Sequence, residues 1–193
     1  MSDYVIGITG ASGSIYGVRL VQELALKKHH IHVVITSAGK QVMKEELGEP
    51  GFGKMERLGL TKFKGNVTVW ENDDFEAPFM SGSSAPEGVI ISPCSVGKLA
   101  AIANGISGNL IERTADVALK ERRPLILVVR ETPFSLIHLE NMAAAARAGA
   151  QILPAMPAFY HHPKTIDDMV NFVVGKVLNA LRIEHNLFRG WKK

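Results

Sequence analysis

Short apolar, β-branched runs recur along the chain, each followed by a turn and then by apolar positions at helical spacing. The runs Val5–Thr9, His32–Thr36, Val67–Trp70, Gly88–Ser92, Leu125–Arg130 and Gln151–Leu153 read as strands. Val89-Ile90-Ile91 and Leu125-Ile126-Leu127-Val128-Val129 are apolar without alternation, which marks strands covered on both faces. Behind the first run, Val18, Leu20, Val21 and Leu24 keep a helical pattern. The last helix is the best marked. Thr165 can cap it, Asp168 stands where a capping-box partner belongs, and Ile166, Met169, Val170, Val173, Val177 and Leu181 form its apolar stripe. Residues 48–65 are Gly-rich and weakly periodic, which predicts an irregular connection. No internal repeat or linker divides the chain.

This alternation predicts an α/β fold: a single-domain Rossmann-like (flavodoxin-like) three-layer sandwich around a parallel sheet, spanning residues 1–193. Ligands of such sheets bind beyond the carboxyl ends of the strands, so the residues after each run are the candidate site. They are Gly10, Ala11, Ser12 and Gly13 after the first, and Thr36 and Ser37 after the second, with Glu46 further along the next helix. Ser92, Pro93, Cys94 and Ser95 follow the fourth, Arg130 and Glu131 the fifth, and Pro154 to Tyr160 the sixth. Hydroxyls, a cation and carboxylates therefore converge. They suit a phosphorylated ligand with proton chemistry beside it.

The first turn, Gly7-Ile-Thr-Gly-Ala-Ser-Gly-Ser-Ile-Tyr-Gly17, sharpens that picture. Glycines let the backbone approach an anion, and helix N-terminal N–H groups with Ser and Thr hydroxyls can bind one. The spacing is not the dinucleotide G-x-G-x-x-G, because Thr9 stands where the second glycine belongs. The second strand ends in Thr36 and Ser37, not in the Asp or Glu that holds a nicotinamide ribose. A phosphate is expected there, and NAD is not. Tyr160-His-His-Pro-Lys164 spells a dehydrogenase Y-x-x-x-K, but Pro163 keeps that pair off a helical turn.

Composition narrows the partners. The charge of +3 carries no Lys/Arg block or aromatic–basic interleaving, which fits small anions and argues against nucleic acid. A single cysteine, Cys94, excludes an internal disulfide framework and fits a reducing compartment. With no signal peptide or membrane-length apolar run read at the N-terminus, a cytoplasmic, membrane-free protein is expected. Cys94 follows a buried strand without a His partner and reads as a structural thiol. His161 and His162 are adjacent and face opposite ways on extended chain, so no metal is expected. Arg130 and Glu131 close a buried strand where ligands bind. Lys120 ends the preceding helix, which must run antiparallel to that strand, and the two ends lie on the order of 20 Å apart. Lys120 would then serve the site of a neighbouring subunit, in a homo-oligomer with shared active sites.

Assembled, these residues resemble the flavin prenyltransferase family UbiX, the phenylacrylic acid decarboxylase-like flavoproteins. The resemblance runs through Thr9-Gly-Ala-Ser-Gly-Ser-Ile-Tyr-Gly17, Ser81-Gly-Ser-Ser-Ala-Pro86, Pro93-Cys-Ser95, Ala115 to Pro124, Val129-Arg-Glu-Thr-Pro133, His138-Leu-Glu-Asn-Met142 and Pro157-Ala-Phe-Tyr-His161. It implies a metal-independent transferase that joins the dimethylallyl group of dimethylallyl phosphate to N5 and C6 of reduced FMN. The prenylated FMN would pass to a UbiD-type decarboxylase, and the assembly would be a dodecamer. By the same resemblance Gly10, Ala11, Ser12, Thr36, Ser37, Ser95, Val96, Gly97, Lys98 and Arg113 would hold FMN. Lys120, Arg130, Tyr160 and Lys176 would bind the prenyl phosphate. Ser12, Glu46 and Glu131 would be catalytic at the reacting flavin edge, and Trp191 would belong to a C-terminal segment, about residues 183–193, closing the site.

Two residues depart from the pattern. Lys98 stands where many members have Thr, and Lys176 replaces an Arg, keeping the charge but losing the bidentate fork. The alternatives are a cysteine-peptide decarboxylase-like flavoprotein and a non-catalytic FMN carrier. The first lacks an Asn in Pro154-Ala-Met-Pro157, and the second has no use for a further anion site at Lys120, Arg130 and Tyr160.

Overall fold

The computed structural model describes residues 2–48, 61–63 and 65–190. Strands β1 (Asp3–Ile8), β2 (His30–Ile35), β3 (Val67–Glu71), β4 (Gly88–Cys94), β5 (Leu125–Val129) and β6 (Gln151–Ile152) form one sheet. Every pairing is parallel, in the order β3-β2-β1-β4-β5-β6. The register sets Ile6 beside Val33 on one side and Ile90 on the other. All six expected strands are present, within two residues of their expected bounds at either end. The order reverses between β1 and β4, and that is where a doubly wound sheet holds its ligand.

Helices α1 (Ser14–Leu26), α2 (Ser37–Leu47), α3 (Val96–Ala103), α4 (Leu110–Lys120), α5 (Leu136–Arg147) and α6 (Ile166–Ala180) complete the three layers. Leu20, Leu24, Met43, Val173 and Leu178 of α1, α2 and α6 pack with Ile6, Ile31 and Ile90 on one face. Leu99, Leu110, Ile111, Ala118 and Ala145 of α3, α4 and α5 pack with Val5, Val89 and Leu127 on the other. Each fully buried Leu or Ile contributes roughly 1.5–3 kcal/mol. This two-sided cover is why the central strands read as unbroken apolar runs. Helix α1 lies against β4 so closely that a Cβ on Gly17 would come within 2.3 Å of the Ser92 carbonyl oxygen.

The capping box of α6 forms as expected between Thr165 and Asp168. Ile166, however, is 78% exposed, so it leaves the stripe; as the first residue past the cap it faces solvent, and Phe172, Val174 and Leu178 widen the buried face instead. Behind α6 the chain turns back so that Phe188 and His185 lie where a Cβ on Gly175 would stand. The described part of the C-terminal segment thus lies along α6. Trp191 lies outside the described residues, as does most of the connection expected over 48–65. No helix among the described residues is long and apolar enough to cross a membrane.

Candidate active site

The first turn is fastened from three directions. Thr9 is buried; its hydroxyl donates to the Pro93 carbonyl at 2.8 Å and accepts the Ser95 N–H at 2.8 Å. It therefore pins the ends of β1 and β4 together and is no ligand hydroxyl. Gly10 backs onto Ala38 at the start of α2, Ala11 is buried, and Ser12 is exposed. Gly13 takes a left-handed φ of 104°, which favours glycine and opens α1. The Gly13 N–H donates to both Glu46 carboxylate oxygens, at 2.9 and 3.1 Å, and the Ser14 N–H donates at 2.8 Å. Partial burial pushes the Glu46 carboxyl up. Hydrogen bonds from the Ser12 hydroxyl and from the Gly13 and Ser14 N–H groups outweigh it and hold the group below the usual carboxylate range. The Arg130 Nε donates to the Ser12 carbonyl at 3.1 Å. The N–H groups expected to face a phosphate at this helix end are thus taken by the chain's own carboxylate.

The second and fourth strand ends are helix N-termini too. Thr36 caps α2 by accepting the Gly39 N–H at 3.0 Å, with Ser37 exposed beside it. Ser95 caps α3 by accepting the Lys98 N–H at 3.3 Å. Val96 is half-buried and Gly97 exposed, with open space where a Cβ on Gly97 would point. Lys98 turns away from that end. Its ammonium donates to the Glu112 carboxylate and reaches Asn109 Oδ1 at 3.4 Å. Burial pushes the Glu112 carboxyl up, but bonds from Lys98, Asn109 and the Gly108 N–H bring it below the usual range. Arg113, half-buried, donates to Asp116 at 2.8 Å. Cys94 is buried, and burial pushes its thiol up to about 12, which suits an inert structural residue.

Past β5, the Glu131 carboxylate accepts the Thr132 N–H at 2.9 Å. Past β6, the Tyr160 ring meets Phe172 edge-on at 5.8 Å. Lys176, exposed on α6, borders an apolar cavity of about 190 Å³ lined by Leu153, Pro154, Met156, Phe172 and Val173. One group of expected residues is thus joined directly: Ser12, Glu46 and Arg130. Tyr160 and Lys176 are gathered around Phe172. Lys120 is apart from both, at the end of α4 beside the amino end of β5. There its ammonium pairs with Glu121 at 2.7 Å and stands against Gly82.

Two features escaped the sequence reading. Tyr16 lies close to Gly13, and its phenol is raised by burial while Arg130 lowers it. The Ser81–Ser84 segment, quoted above only for the resemblance, lies against Lys120 and Glu121. Asp3, His30 and His32 bring one ligand atom each within 4.8 Å of one another. Yet the Trp70 indole N–H donates to His32 Nδ1 at 3.0 Å, which leaves the imidazole proton on Nε2 and removes the lone pair a metal needs.

Residues 2–178 match the family model Flavoprotein. The chain is 54% identical over 190 residues to the flavin prenyltransferase UbiX of Halalkalibacterium halodurans, covering 97% of this chain and 92% of that one. It superposes with a TM-score of 0.89, at 37% identity, on AnUbiX (PadA1) solved in complex with FMN and dimethylallyl pyrophosphate, covering 100% of this chain and 98% of the other. A dodecameric FMN-dependent UbiX-like decarboxylase from Escherichia coli O157:H7 superposes at 0.88, with 40% identity over 99% of this chain and 100% of that one. With this identity over nearly its full length, this chain belongs to the flavin prenyltransferase UbiX family of flavoproteins.

Proposed function

We propose that this protein prenylates reduced FMN, with dimethylallyl phosphate as donor. The observation that carries the reading is the joining of Ser12, Glu46 and Arg130 past the carboxyl ends of the strands, with Glu131 next to Arg130 in the chain and the capped ends of α2 and α3 following β2 and β4. A flavin phosphate fits there. The N-termini of α2 and α3 carry Ser37 and the open Gly97, and Arg113 stands on the first turn of α4. Gly10, Ala11, Ser12, Thr36, Ser95, Val96 and Lys98 would complete the same site, Thr36 and Ser95 through the helices they cap and Lys98 through its hold on Glu112. When bound, reduced FMN would supply N5 and C6 as the two prenyl acceptors: the allylic C–O bond would break with its electron pair leaving on phosphate, N5 would give up its proton on bonding the allylic carbon, and the prenyl double bond would take a proton at one carbon as the other bonds C6, which then loses its own proton.

The chain's own groups account for the rest. Arg130, Tyr160 and Lys176, with Lys120 from a neighbouring subunit, stabilise the charge that grows on the leaving phosphate. Glu131 takes up the ring proton, directly or through the departing phosphate. Ser12 positions the reacting edge. The C-terminal segment, residues 183–193 with Trp191, excludes water from the allyl group. The assembly is a homo-oligomer, a dodecamer like its E. coli relative, and the enzyme works in the cytoplasm as one domain, without a metal. Its product goes to a UbiD-type decarboxylase.

The test is anaerobic. Reduced FMN and dimethylallyl phosphate are mixed with the protein, and the extracted flavin is weighed by mass spectrometry. A flavin heavier by one prenyl unit is expected; unmodified, tightly held FMN would favour the carrier reading. In Glu131→Gln the flavin should bind as in the wild type while prenylation stops short of completion. Full turnover in that variant would remove Glu131 from its role.

A further inference from the structure

We infer that Glu46 is a built-in anion that fills the N-terminal site of α1, shaping the first turn and turning ligand phosphates away from it. The resemblance places this residue among the catalytic groups. Its contacts point to a different task. Both carboxylate oxygens are engaged by main-chain N–H groups, at 2.8, 2.9 and 3.1 Å, the arrangement a bound phosphate or sulfate adopts at a helix end. Helix α1 has 13 residues, no acidic side chain in its first turn and no side-chain cap at Gly13. Glu46, arriving from the far end of α2, supplies what that helix lacks in both charge and acceptors.

Three consequences follow from the geometry. The bonds hold Gly13 in its left-handed conformation, and with it the exposed Ser12 that precedes it. Arg130 fixes the other side of Ser12 through its carbonyl, so carboxylate and guanidinium grip one short turn from opposite sides. A ligand phosphate brought to this helix end would meet a carboxylate that already holds the N–H groups, so the ends of α2 and α3, each capped by a neutral hydroxyl that takes one N–H group, become the better sites. A group whose oxygens are committed to two main-chain N–H donors through three contacts, and whose pKa those donors lower, is also a poor proton carrier near neutral pH. Glu46 is therefore a positioning residue, and proton movement is left to Glu131.

The effect on turnover rests on the prenyltransferase reading, whereas the place of the anion does not, so the experiment has two readouts. Glu46→Ala leaves the helix end open. Its thermal midpoint should rise saturably with nitrate or formate, by more than the wild type's does in the same salts. Its prenylation rate, expected to fall about a hundredfold as the turn loosens, should recover with either anion. Nitrate is the decisive probe because it carries no proton at neutral pH. Rescue by formate and acetate alone, growing with basicity, would make Glu46 a proton carrier and overturn the proposal. A folded variant whose midpoint responds to anions no more than the wild type's would overturn it as well. Glu46→Gln covers the case in which the alanine variant fails to fold. Its loss of rate should be the same across pH 6–9, and disappearance of one limb of the pH profile would contradict the positioning role. If even the wild type leaves FMN unmodified, the thermal readout decides the anion's place by itself.

Discussion

At the scale of single residues, the Lys98–Glu112 pair shows what a linear reading could not reach. The two side chains are 13% and 8% exposed, and they lie fourteen positions apart on different helices. The resemblance puts Lys98 in the segment that would hold FMN, at a position where many members have threonine and where the lysine departs from the pattern. Nothing in the linear order indicated that Glu112 would claim the ammonium. A buried pair broken from one side leaves an uncompensated charge, at a cost on the order of 3 kcal/mol. Lys98→Met should lose about that much in urea unfolding, softened by the Gly108 N–H that Glu112 keeps. Lys98→Met combined with Glu112→Leu should regain most of it. A single variant as stable as the wild type would mean that Glu112 is content with its backbone partners. Thr9 carries the same lesson: its hydroxyl was legible as a polar group in a ligand turn, but its partners, Pro93 and Ser95, come from more than eighty positions away.

At the scale of elements, the pattern was legible wherever burial is one-sided or complete. The strands and the α6 cap followed from apolar periodicity and a local hydrogen-bonding motif. The carboxyl-end rule then pointed to Ser12, Thr36, Ser95, Arg130 and Glu131, which do lie past the ends of β1, β2, β4 and β5. What periodicity does not encode is a titratable group tucked into a strand, and β2 contains one. His32 is 6% exposed, packed against His30, Trp70 and Phe79, with Asp3 nearby. Burial, then the neighbouring His30, lowers its pKa to about 4, with Asp3 opposing. The folded state thus keeps His32 neutral while the unfolded chain takes up a proton near pH 6.5. Its contribution is whole above that pH, fades as the pH falls, and is gone near pH 4, a loss on the order of 3 kcal/mol. Glu46 and Glu112, whose pKa values are lowered, lose their contributions only below about pH 4.5. Urea midpoints should therefore fall between pH 6.5 and 4 in the wild type. In His32→Asn, whose amide oxygen can stand where Nδ1 accepts the Trp70 N–H, they should fall clearly less, the remaining slope coming from His29 and His185, whose pKa values burial also lowers. An equal slope in both proteins would place the titration elsewhere.

At the scale of the whole molecule, the sheet itself separates the residues assigned to one phosphate. Arg130 lies past the carboxyl end of β5, and Lys120 lies beside its amino end, a strand of five residues or about 17 Å apart. No side chain closes that distance within one copy. The start of α5 meanwhile leaves Leu136, Ile137 and Leu139 exposed at 69, 67 and 50%, apolar area of the kind that subunits cover. If each site takes Arg130 from one subunit and Lys120 from its neighbour, two dead variants should repair each other. Lys120→Ala and Arg130→Ala would each fail to prenylate FMN as pure assemblies. Co-expressed in equal amounts they would form mixed assemblies, in which about a quarter of the sites pair an intact lysine with an intact arginine. Extracted flavin should then carry the prenyl group at roughly that fraction of the wild-type rate. A site built within one copy would always lack one cation, so co-expression would restore nothing. The same null would follow if the subunits assembled without bringing these two ends together. Differently tagged copies purified in tandem separate the two cases: co-purification without activity places the lysine outside the site, and failure to co-purify shows that no mixed assembly formed.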